Sequence, residues 1–487
     1  MDTKLIKIDE LQSVLSNENE TISVIQRFMQ PFTLGTTLKY YSAIKQKGYK
    51  LTDVLIWLCV IQTTGMSIYQ ATRIGISNLV LCGEKCVYYR LLENPQINWR
   101  ALYRRLFLKY YEIVKSKGEE PIKGVIRCFI LDDTLIEKTG KFIEGVTKVF
   151  DHSIRKSVLG LKMLVLGYWD GLNFLGVDFS VHHELGKNKK GGLTKKEQKL
   201  QHTKVREKDS CTAQRKKELD ESKIDCAIKM LKRADRLGLT VDYVLTDSWF
   251  TCIELIKVVR TLLKGTVHFL GMVVMNRHKF NYKGKLYTTS GLIALLERKT
   301  SHYSRKFKCR YIDVTVQFED IDFRLFLIKY GTKGNFRAVL TTNMKLNFAE
   351  MMDIYKIRWS IEVFFKECKQ YLMLGKNQST NFDAQIASLT ITMITHTVLT
   401  LEKRFNSYQT MGELFRKTQK QLFEFTLWER LNIVILEIIN LLMELCEIDI
   451  DELMERILGN EQYEMQYNVM LIALKKIKQE NVLKMAV

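Results

Sequence analysis

Two mostly apolar runs in the middle of the chain end in acidic residues. Residues 125–131 lead into Asp132 and Asp133, which predicts a buried strand with carboxylates at its carboxyl end. Residues 241–245 repeat this form and lead to Asp247, after which a helix is predicted. Ligands of open α/β sheets bind at the carboxyl ends of strands, so both ends are candidate sites. An Asp in such a place also suits a turn or a helix cap, so neither position alone identifies a site.

Between these two runs, the pattern predicts an antiparallel hairpin followed by a helix. Residues 161–169 and 172–181 have the composition of strands, and they are joined by Asp170 and Gly171, a dipeptide that favours a tight hairpin turn. Helical periodicity follows at residues 223–237. The order of strand, hairpin, helix and strand indicates a mixed α/β sheet.

More strands are predicted after the second acidic run. Residues 312–318 and 323–327 alternate between apolar and polar positions, and they predict a second hairpin. Residues 336–342 predict a further strand. These strands indicate a small β domain inserted before the next helix.

That next helix is predicted to be amphipathic, with a polar face that combines one acid with basic residues. At about 100° of rotation per residue, five side chains fall on or beside one narrow face: Tyr355, Arg358, Glu362, Lys366 and Lys369. A lone carboxylate among such groups suits a metal ion bound beside a phosphodiester. Charged residues on one side of a helix are often only a solvated face, so the spacing alone leaves both interpretations open.

Both ends of the chain are predicted to be helical. Residues 49–62 and 67–73 outline a helix-turn-helix, and a basic helix follows at 99–115. Because many helical pairs share this outline, DNA reading here is one of two interpretations. Towards the C-terminus, residues 427–448 are apolar on more than one face, which suits either core packing or an interface between protomers.

The charge of the chain favours an anionic partner. It has 75 Lys and Arg against 54 Asp and Glu, a net charge of +21 with a pI near 9.3. This balance is expected for phosphate binding, although charge alone does not name the partner. Residues 187–219 hold 12 basic and 4 acidic residues and predict a mobile loop or frayed helix. This basic segment is either a solvated surface or an arm that contacts DNA phosphates through Lys195, Lys196 and Lys199.

Secreted and membrane proteins are not expected from this sequence. Residues 1–10 are charged from the outset, so we expect no secretory leader. No uninterrupted apolar run approaches the roughly 18 residues needed to span a bilayer. The ten Cys are scattered, and the close pair Cys82 and Cys86 lacks further ligands at zinc spacing. We therefore expect a cytoplasmic protein with reduced thiols and no structural zinc.

The spacing Tyr-x2-Arg-x3-Glu-x6-Lys identifies a family resemblance. Tyr355, Arg358, Glu362 and Lys369 carry it, with Trp359 directly after the Arg. The pattern resembles the signature of bacterial insertion-sequence transposases of the DDE class, in the cut-and-paste group that forms DNA hairpins. In that family the Glu is the third catalytic carboxylate and follows two Asp residues.

The resemblance implies an α/β fold, in which a ribonuclease-H-like catalytic core is interrupted by a β-strand insertion and flanked by helical N- and C-terminal domains. It covers residues 121–385. The implied domains are a helical DNA-binding domain at 1–118, the first part of the core at 119–272, the β insertion at 273–343, the last part of the core with the Glu helix at 344–385, and a C-terminal helical domain at 386–487.

The resemblance also implies the catalytic and metal-binding acids. They would be Asp133, Asp247 and Glu362, with the second 114 positions after the first and the third 115 positions after the second. Asp133 is chosen over Asp132 because the family's first Asp stands directly before Thr, here Thr134. Adjacent strand residues point to opposite faces, so one acid of the pair is expected to face the metals.

The family's activity implies a cofactor and partners. Two Mg²⁺ ions are expected, with Mn²⁺ as a possible substitute. The partners would be double-stranded DNA, at the element's terminal inverted repeats and at the target, and a second copy of the chain in a paired-end complex. The location would be the bacterial cytoplasm, at the nucleoid. The residues expected to contact DNA are Tyr355, Arg358, Trp359, Lys366, Lys369, Lys195, Lys196 and Lys199.

Two alternatives use parts of the same pattern. A structure-selective endonuclease on the same fold would need the acids but not the surrounding Tyr, Arg and Lys. A catalytically silent DNA-binding derivative of a transposase would be expected to lose the acids, all of which are present. For Trp359, stacking on a displaced base and packing in the core are both open.

Overall fold

The structure, a computed structural model, describes residues 24–423 apart from short gaps. The gaps are 43, 45–46, 75–82, 118–123, 152–153, 332 and 407. The predicted helix at 427–448 and the close Cys pair with Cys82 therefore fall wholly or partly outside the described residues. Two compact units are present, one formed by residues 1–92 and 405–487 as far as they are described, the other by 93–404. The bounds of the five predicted domains stay predictions.

Helices account for both ends of the described chain and cover parts of a sheet in its middle. The helices are α1 (Val24–Met29), α2 (Leu34–Thr37), α3 (Lys39–Ser42), α4 (Leu51–Thr64), α5 (Ile68–Ile74), α6 (Lys85–Leu92), α7 (Trp99–Ser116), α8 (Lys195–Lys199), α9 (Cys211–Lys217), α10 (Lys223–Asp235), α11 (Ile253–Val259), α12 (Thr289–Thr300), α13 (Phe348–Lys356), α14 (Trp359–Tyr371), α15 (Phe382–Phe405) and α16 (Met411–Phe423).

The strands belong to a single sheet. They are β1 (Cys128–Glu137), β2 (Thr147–Asp151), β3 (Lys156–Trp169), β4 (Phe174–His182), β5 (Tyr243–Thr246), β6 (His268–Val273), β7 (Lys279–Tyr282), β8 (Lys285–Thr288), β9 (His302–Ser304), β10 (Cys309–Phe318), β11 (Ile321–Tyr330) and β12 (Phe336–Thr341).

The smaller unit contains the predicted helix-turn-helix outline. Helix α4 is almost wholly buried and ends at Gly65, whose φ of +76° suits glycine. Helix α5 follows after a short turn, so the predicted pair of helices is confirmed. Their role in DNA reading stays a prediction.

Five strands at the centre of the sheet have the order β4-β3-β1-β5-β6. Strands β4, β3 and β1 are antiparallel neighbours, while β5 and β6 run parallel to β1. The predicted hairpin of β3 and β4 is confirmed. Its turn is longer than a two-residue loop, since Trp169 pairs with Phe174. Within the turn, Asp170 Oδ1 accepts hydrogen bonds from the backbone N–H groups of Leu172 and Asn173.

The inserted strands extend this sheet instead of forming a separate one. Strands β10 and β11 form the predicted hairpin, with Ile312 opposite Leu327. Strand β12 then pairs with β11 on one side and with β6 on the other. The predicted insertion is thus continuous with the core sheet, because β6 offers β12 an unpaired edge.

The basic segment at 187–219 is folded, which corrects the prediction of a mobile loop or frayed helix. A capping box between Thr194 and Glu197 begins α8. Arg206 forms ion pairs with Glu144 at 2.7 Å and with Asp383 at 3.0 Å, and all three side chains are buried. These long-range ion pairs fix the segment to the rest of its unit.

Helix α15 is long and apolar enough to cross a membrane by length and composition alone. Of its most apolar 18-residue window, 94% is buried inside the protein. Core helices pass the same test, and burial accounts for the apolar character of this one.

Candidate metal and DNA site

The two acids of β1 lie where a neighbouring parallel strand ends. Strand β1 continues past both acids, whereas the prediction had it end there. Its parallel pairing with β5 stops at Leu131 and Thr246, which are directly opposite each other. Asp132 and Asp247 each follow one of these paired residues. The two acids therefore lie side by side just beyond the parallel ladder.

Asp132 and Asp133 have different partners on opposite faces of the strand. The Asp133 carboxylate accepts a hydrogen bond from the ammonium group of Lys223, the first residue of α10. Asp132 Oδ2 accepts one from Arg358 Nη1 at 3.1 Å, on the side of α14. The preference for Asp133 rested on the following Thr134, and the contacts favour Asp132 instead. The choice stays a prediction for experiment.

Arg358 links the acid of β1 to the acid of the Glu helix. Its Nη2 donates to Glu362 Oε1 at 2.5 Å while its Nη1 reaches Asp132. Only 16% of the Arg358 side chain is exposed. One guanidinium group is thus shared by two partly buried carboxylates.

The predicted single helix from Tyr355 onwards is two helices. Helix α13 ends at Lys356 and α14 begins at Trp359, and this break sets Tyr355 apart from Glu362. The Tyr355 hydroxyl donates to the backbone carbonyl of Thr246 at 3.1 Å. Tyr355 therefore holds the end of β5, one residue before Asp247.

The Asp247 carboxylate begins a tight turn. Its Oδ1 accepts from the backbone N–H groups of Trp249 at 2.9 Å and of Phe250 at 3.3 Å. Helix α11 begins later, at Ile253 after Cys252, so Asp247 is not the cap of that helix. Within the described residues, Asp247 Oδ2 accepts no hydrogen bond, so this oxygen is available to a ligand.

The pKa values of two acids at this site are raised, mainly because the acids are buried. Burial, and next the charge of Asp247, raise the pKa of Asp132 to about 7, although the N–H of Asp133 and the charge of Arg358 act in the opposite direction. Burial also raises the pKa of Asp247. Burial raises the pKa of Tyr355 to about 12. A bound cation would stabilise both carboxylates in their charged form.

Comparison with known families identifies the domain in which these acids lie. The family model of the transposase DDE domain matches residues 124–398, more than half of the chain. The chain belongs to the family of transposases with a DDE domain. The mixed sheet and its helices are consistent with the fold of a DDE transposase, and the matched range contains Asp132, Asp133, Asp247 and Glu362. No curated protein matches the chain.

The transposase presents its other predicted DNA-contacting residues at the surface. Trp359 is 61% exposed, which excludes the alternative of a core tryptophan. Lys366 is exposed on the same helix, α14, and Lys369 lies in its last turn. The predicted lysines of the basic segment lie on α8, outside the contacts that join Arg358 to the acids: Lys195, Lys196 and Lys199.

Two residues beside the acids of this DDE transposase were not predicted from sequence. Lys223 contacts Asp133, and its ammonium group lies 4.9 Å from the ring centroid of Trp249. Trp249 itself is 49% exposed. Its position two residues after Asp247 was a usable signal, whereas the contact of Lys223 depends on how α10 packs against the sheet.

The donor set fits a hard divalent cation, although the acids are not gathered into a ready cluster. Within the described ranges, no three His, Cys, Asp or Glu side chains are grouped closely enough to hold a metal ion. Carboxylate oxygens are the ligands that Mg²⁺ and Mn²⁺ prefer. Asp132 and Glu362 are joined through Arg358, and Asp247 lies beside Asp132. The raised pKa values are consistent with a site that binds a cation.

Proposed function

We propose that the protein cuts an insertion element out of DNA, through hairpin ends, and joins it to a target DNA. The observation that carries this proposal is that Arg358 joins Asp132 to Glu362, with Asp247 beside Asp132, in a chain of the DDE family. The order of three antiparallel strands followed by two parallel ones supports a ribonuclease-H-like core. The net charge of +21 supports DNA as the partner.

The three carboxylates would hold two divalent ions, Mg²⁺ or its substitute Mn²⁺. DDE transposases generally use divalent metal ions. When bound, such ions lower the pKa of an attacking water or 3′-hydroxyl and stabilise the leaving oxygen in an in-line displacement. The contribution of the chain is to hold the carboxylates in position on strand β1, after the end of β5 and on helix α14. Asp132 takes the role first assigned to Asp133, since Asp133 is already neutralised by Lys223.

Residues of the Glu helix would bind the phosphates around the reacting bond. Arg358 contacts two acids in the structure, and its guanidinium group also suits bidentate binding of a phosphate. Lys366 and Lys369 extend the positive charge along α14. The exposed Trp359 is available for stacking on an unpaired base. The hydroxyl of Tyr355 positions the strand that leads to Asp247.

Paired DNA ends would require a second copy of the chain. Homodimer formation and the role of the basic segment stay part of the proposal. The exposed Lys195, Lys196 and Lys199 support a contact with DNA phosphates, because no carboxylate within the described residues neutralises them.

One incubation separates this function from its alternatives. Purified protein is mixed with Mg²⁺ and linear DNA that carries the element's own terminal repeats, and the products are resolved on a denaturing gel. Hairpin-ended fragments and joined products support the proposed transposase. Nicked branched DNA without joining would identify a structure-selective nuclease, and tightly bound but intact DNA would identify a silent derivative.

A further inference from the structure

An exposed indole lies directly beside one of the carboxylates. Of the tryptophans in the described residues, Trp249 and Trp359 are the ones with large exposed areas, 49% and 61%. Exposing an indole is unfavourable, because burial of such a large apolar side chain is worth several kcal/mol. The sequence-based predictions assigned Trp359 a contact with DNA, but they assigned no function to Trp249.

The indole of Trp249 is held in a defined orientation. Its backbone N–H donates to Asp247 Oδ1 at 2.9 Å. Its ring packs edge-to-face against Phe250, with ring centroids 4.8 Å apart and an interplanar angle of 74°. Phe250 is 1% exposed and so forms a rigid support. The exposed part of Trp249 is therefore a fixed surface next to the proposed metal site.

A cation lies against the same indole. The ammonium group of Lys223 is 4.9 Å from the ring centroid of Trp249, within the range of a cation–π contact. The carboxylate of Asp133 also binds this ammonium group. Asp133 and Trp249 together fix a Lys side chain that remains 14% exposed. An aromatic surface and a positioned cation thus lie together where the parallel ladder of β1 and β5 ends.

We propose that Trp249 and Lys223 form a binding subsite for one unpaired nucleotide of the DNA strand. The base would stack on the exposed indole, and an adjoining backbone phosphate would lie near the ammonium group of Lys223. An unpaired nucleotide is required, because both faces of a base in a duplex are already stacked on its neighbours. This inference rests on the proposed function for its DNA partner. It assigns Asp133 the role of positioning Lys223.

The subsite is tested by binding of a mixed-sequence single-stranded DNA of about 12 nucleotides in EDTA, so that no cleavage takes place. Trp249→Ala should weaken this binding roughly tenfold, because stacking of one base contributes about 1–3 kcal/mol. Trp249→Phe should lose less, since a smaller ring remains. Tyr303→Ala is the matched control, because Tyr303 is a 62% exposed aromatic residue on β9.

A second DNA ligand shows whether a variant binds less tightly because it has lost base stacking or because it has lost charge or its fold. An abasic strand of the same length should bind the wild type and Trp249→Ala equally, while Lys223→Gln should weaken binding of both strands. Equal affinity of Trp249→Ala and the wild type for the intact strand would overturn the subsite. An equal loss on intact and abasic strands would overturn it as well.

Failure of the subsite and failure of the proposed function are distinguishable. Glu362→Gln should abolish Mg²⁺-dependent cleavage and leave the difference between intact and abasic strands unchanged. A protein that shows this difference but never cuts DNA would retain the subsite and contradict the transposase. A protein that cuts and joins terminal-repeat DNA but binds neither single strand would contradict the subsite and retain the transposase.

Discussion

Two groups of buried acids in the same unit differ in the number of cations that neutralise them. Asp178 on β4 forms ion pairs with Arg100 at 2.8 Å and with Arg233 at 2.6 Å. Burial alone would raise the pKa of Asp178, but these two Arg outweigh burial and lower it. At the other group, Asp132 and Glu362 share the single Arg358.

The shortage of positive charge therefore marks the candidate site. Asp132 and Asp178 are both mostly buried, with 17% and 7% of their side chains exposed. Their pKa values nevertheless move in opposite directions. Asp178 and Glu218 share three Arg in a structural ion-pair network, whereas a single Arg for Asp132 and Glu362 leaves charge that a metal ion is expected to neutralise.

The largest expected effect is on catalysis. Three single substitutions should each lower Mg²⁺-dependent DNA cleavage by more than about 10³-fold: Asp132→Asn, Asp247→Asn and Glu362→Gln. Each of them removes a proposed metal ligand. Asp178→Asn should keep its rate within about tenfold, once normalised to folded protein. Initial cleavage rates check this, and an equal loss at Asp178 would remove the distinction between the two groups.

The second expected effect is on stability, and here Asp178 matters more than Asp132. Asp178→Ala should destabilise the metal-free protein by about 3–5 kcal/mol, because it removes the acid of Arg233 and one of the two acids paired with Arg100 in a largely buried network. At about pH 5, where Asp132 keeps its proton in the folded state, Asp132→Ala should change stability by less than about 1 kcal/mol. Urea unfolding measures both. A larger loss at Asp132 than at Asp178 would contradict the assignment.

The third expected effect is a pH dependence of protein stability that is caused by Asp132. Its pKa is about 7 in the folded protein and near the ordinary value of 3.8 in the unfolded chain, so the folded state retains a proton that the unfolded state has released between these values. Stability should therefore fall as the pH rises from about 4 to 7, by no more than a few kcal/mol.

Asp132→Asn should remove this dependence. Melting temperatures in EDTA at about pH 5 and pH 8 provide the comparison, and addition of Mg²⁺ at the higher pH should stabilise the wild type more than the variant. Parallel pH profiles for the two proteins would show that Asp132 does not titrate in this range.

The smallest effect extends the comparison to the basic segment. Lys195, Lys196 and Lys199 have no neutralising carboxylate in the described part of the chain, whereas Lys204 pairs with Asp383 at 2.9 Å. A triple variant with Gln in place of Lys195, Lys196 and Lys199 should reduce the slope of log DNA affinity against log salt concentration by up to about 3. Lys204→Gln is the control and should leave the slope nearly unchanged. An unchanged slope in the triple variant would remove the predicted DNA arm.

Local sequence patterns predicted much of the sheet. The hairpins of β3 with β4 and of β10 with β11 followed from alternation that each segment carries by itself. Strand β5 and the helix at Lys223 also followed from such patterns. The acids were found because each follows an apolar run or lies in a spaced motif.

Contacts between distant segments were not predictable in the same way. The distinction between Asp132 and Asp133 depends on the end of the ladder with β5 and on which helix packs against each face. The ion pairs of Arg206 join segments far apart in the chain, so composition alone indicated a mobile loop. The break before Trp359 carries no Gly or Pro to signal it.

Metal binding by the two neighbouring acids tests the central claim most directly. Mn²⁺ is titrated by calorimetry into the full chain without DNA, for the wild type, Asp132→Asn and Asp133→Asn. We expect Asp132→Asn to weaken binding by at least about tenfold, and Asp133→Asn to remain within about threefold of the wild type. The reverse order would return the metal site to Asp133 and contradict the assignment of the charge-deficient site to Asp132.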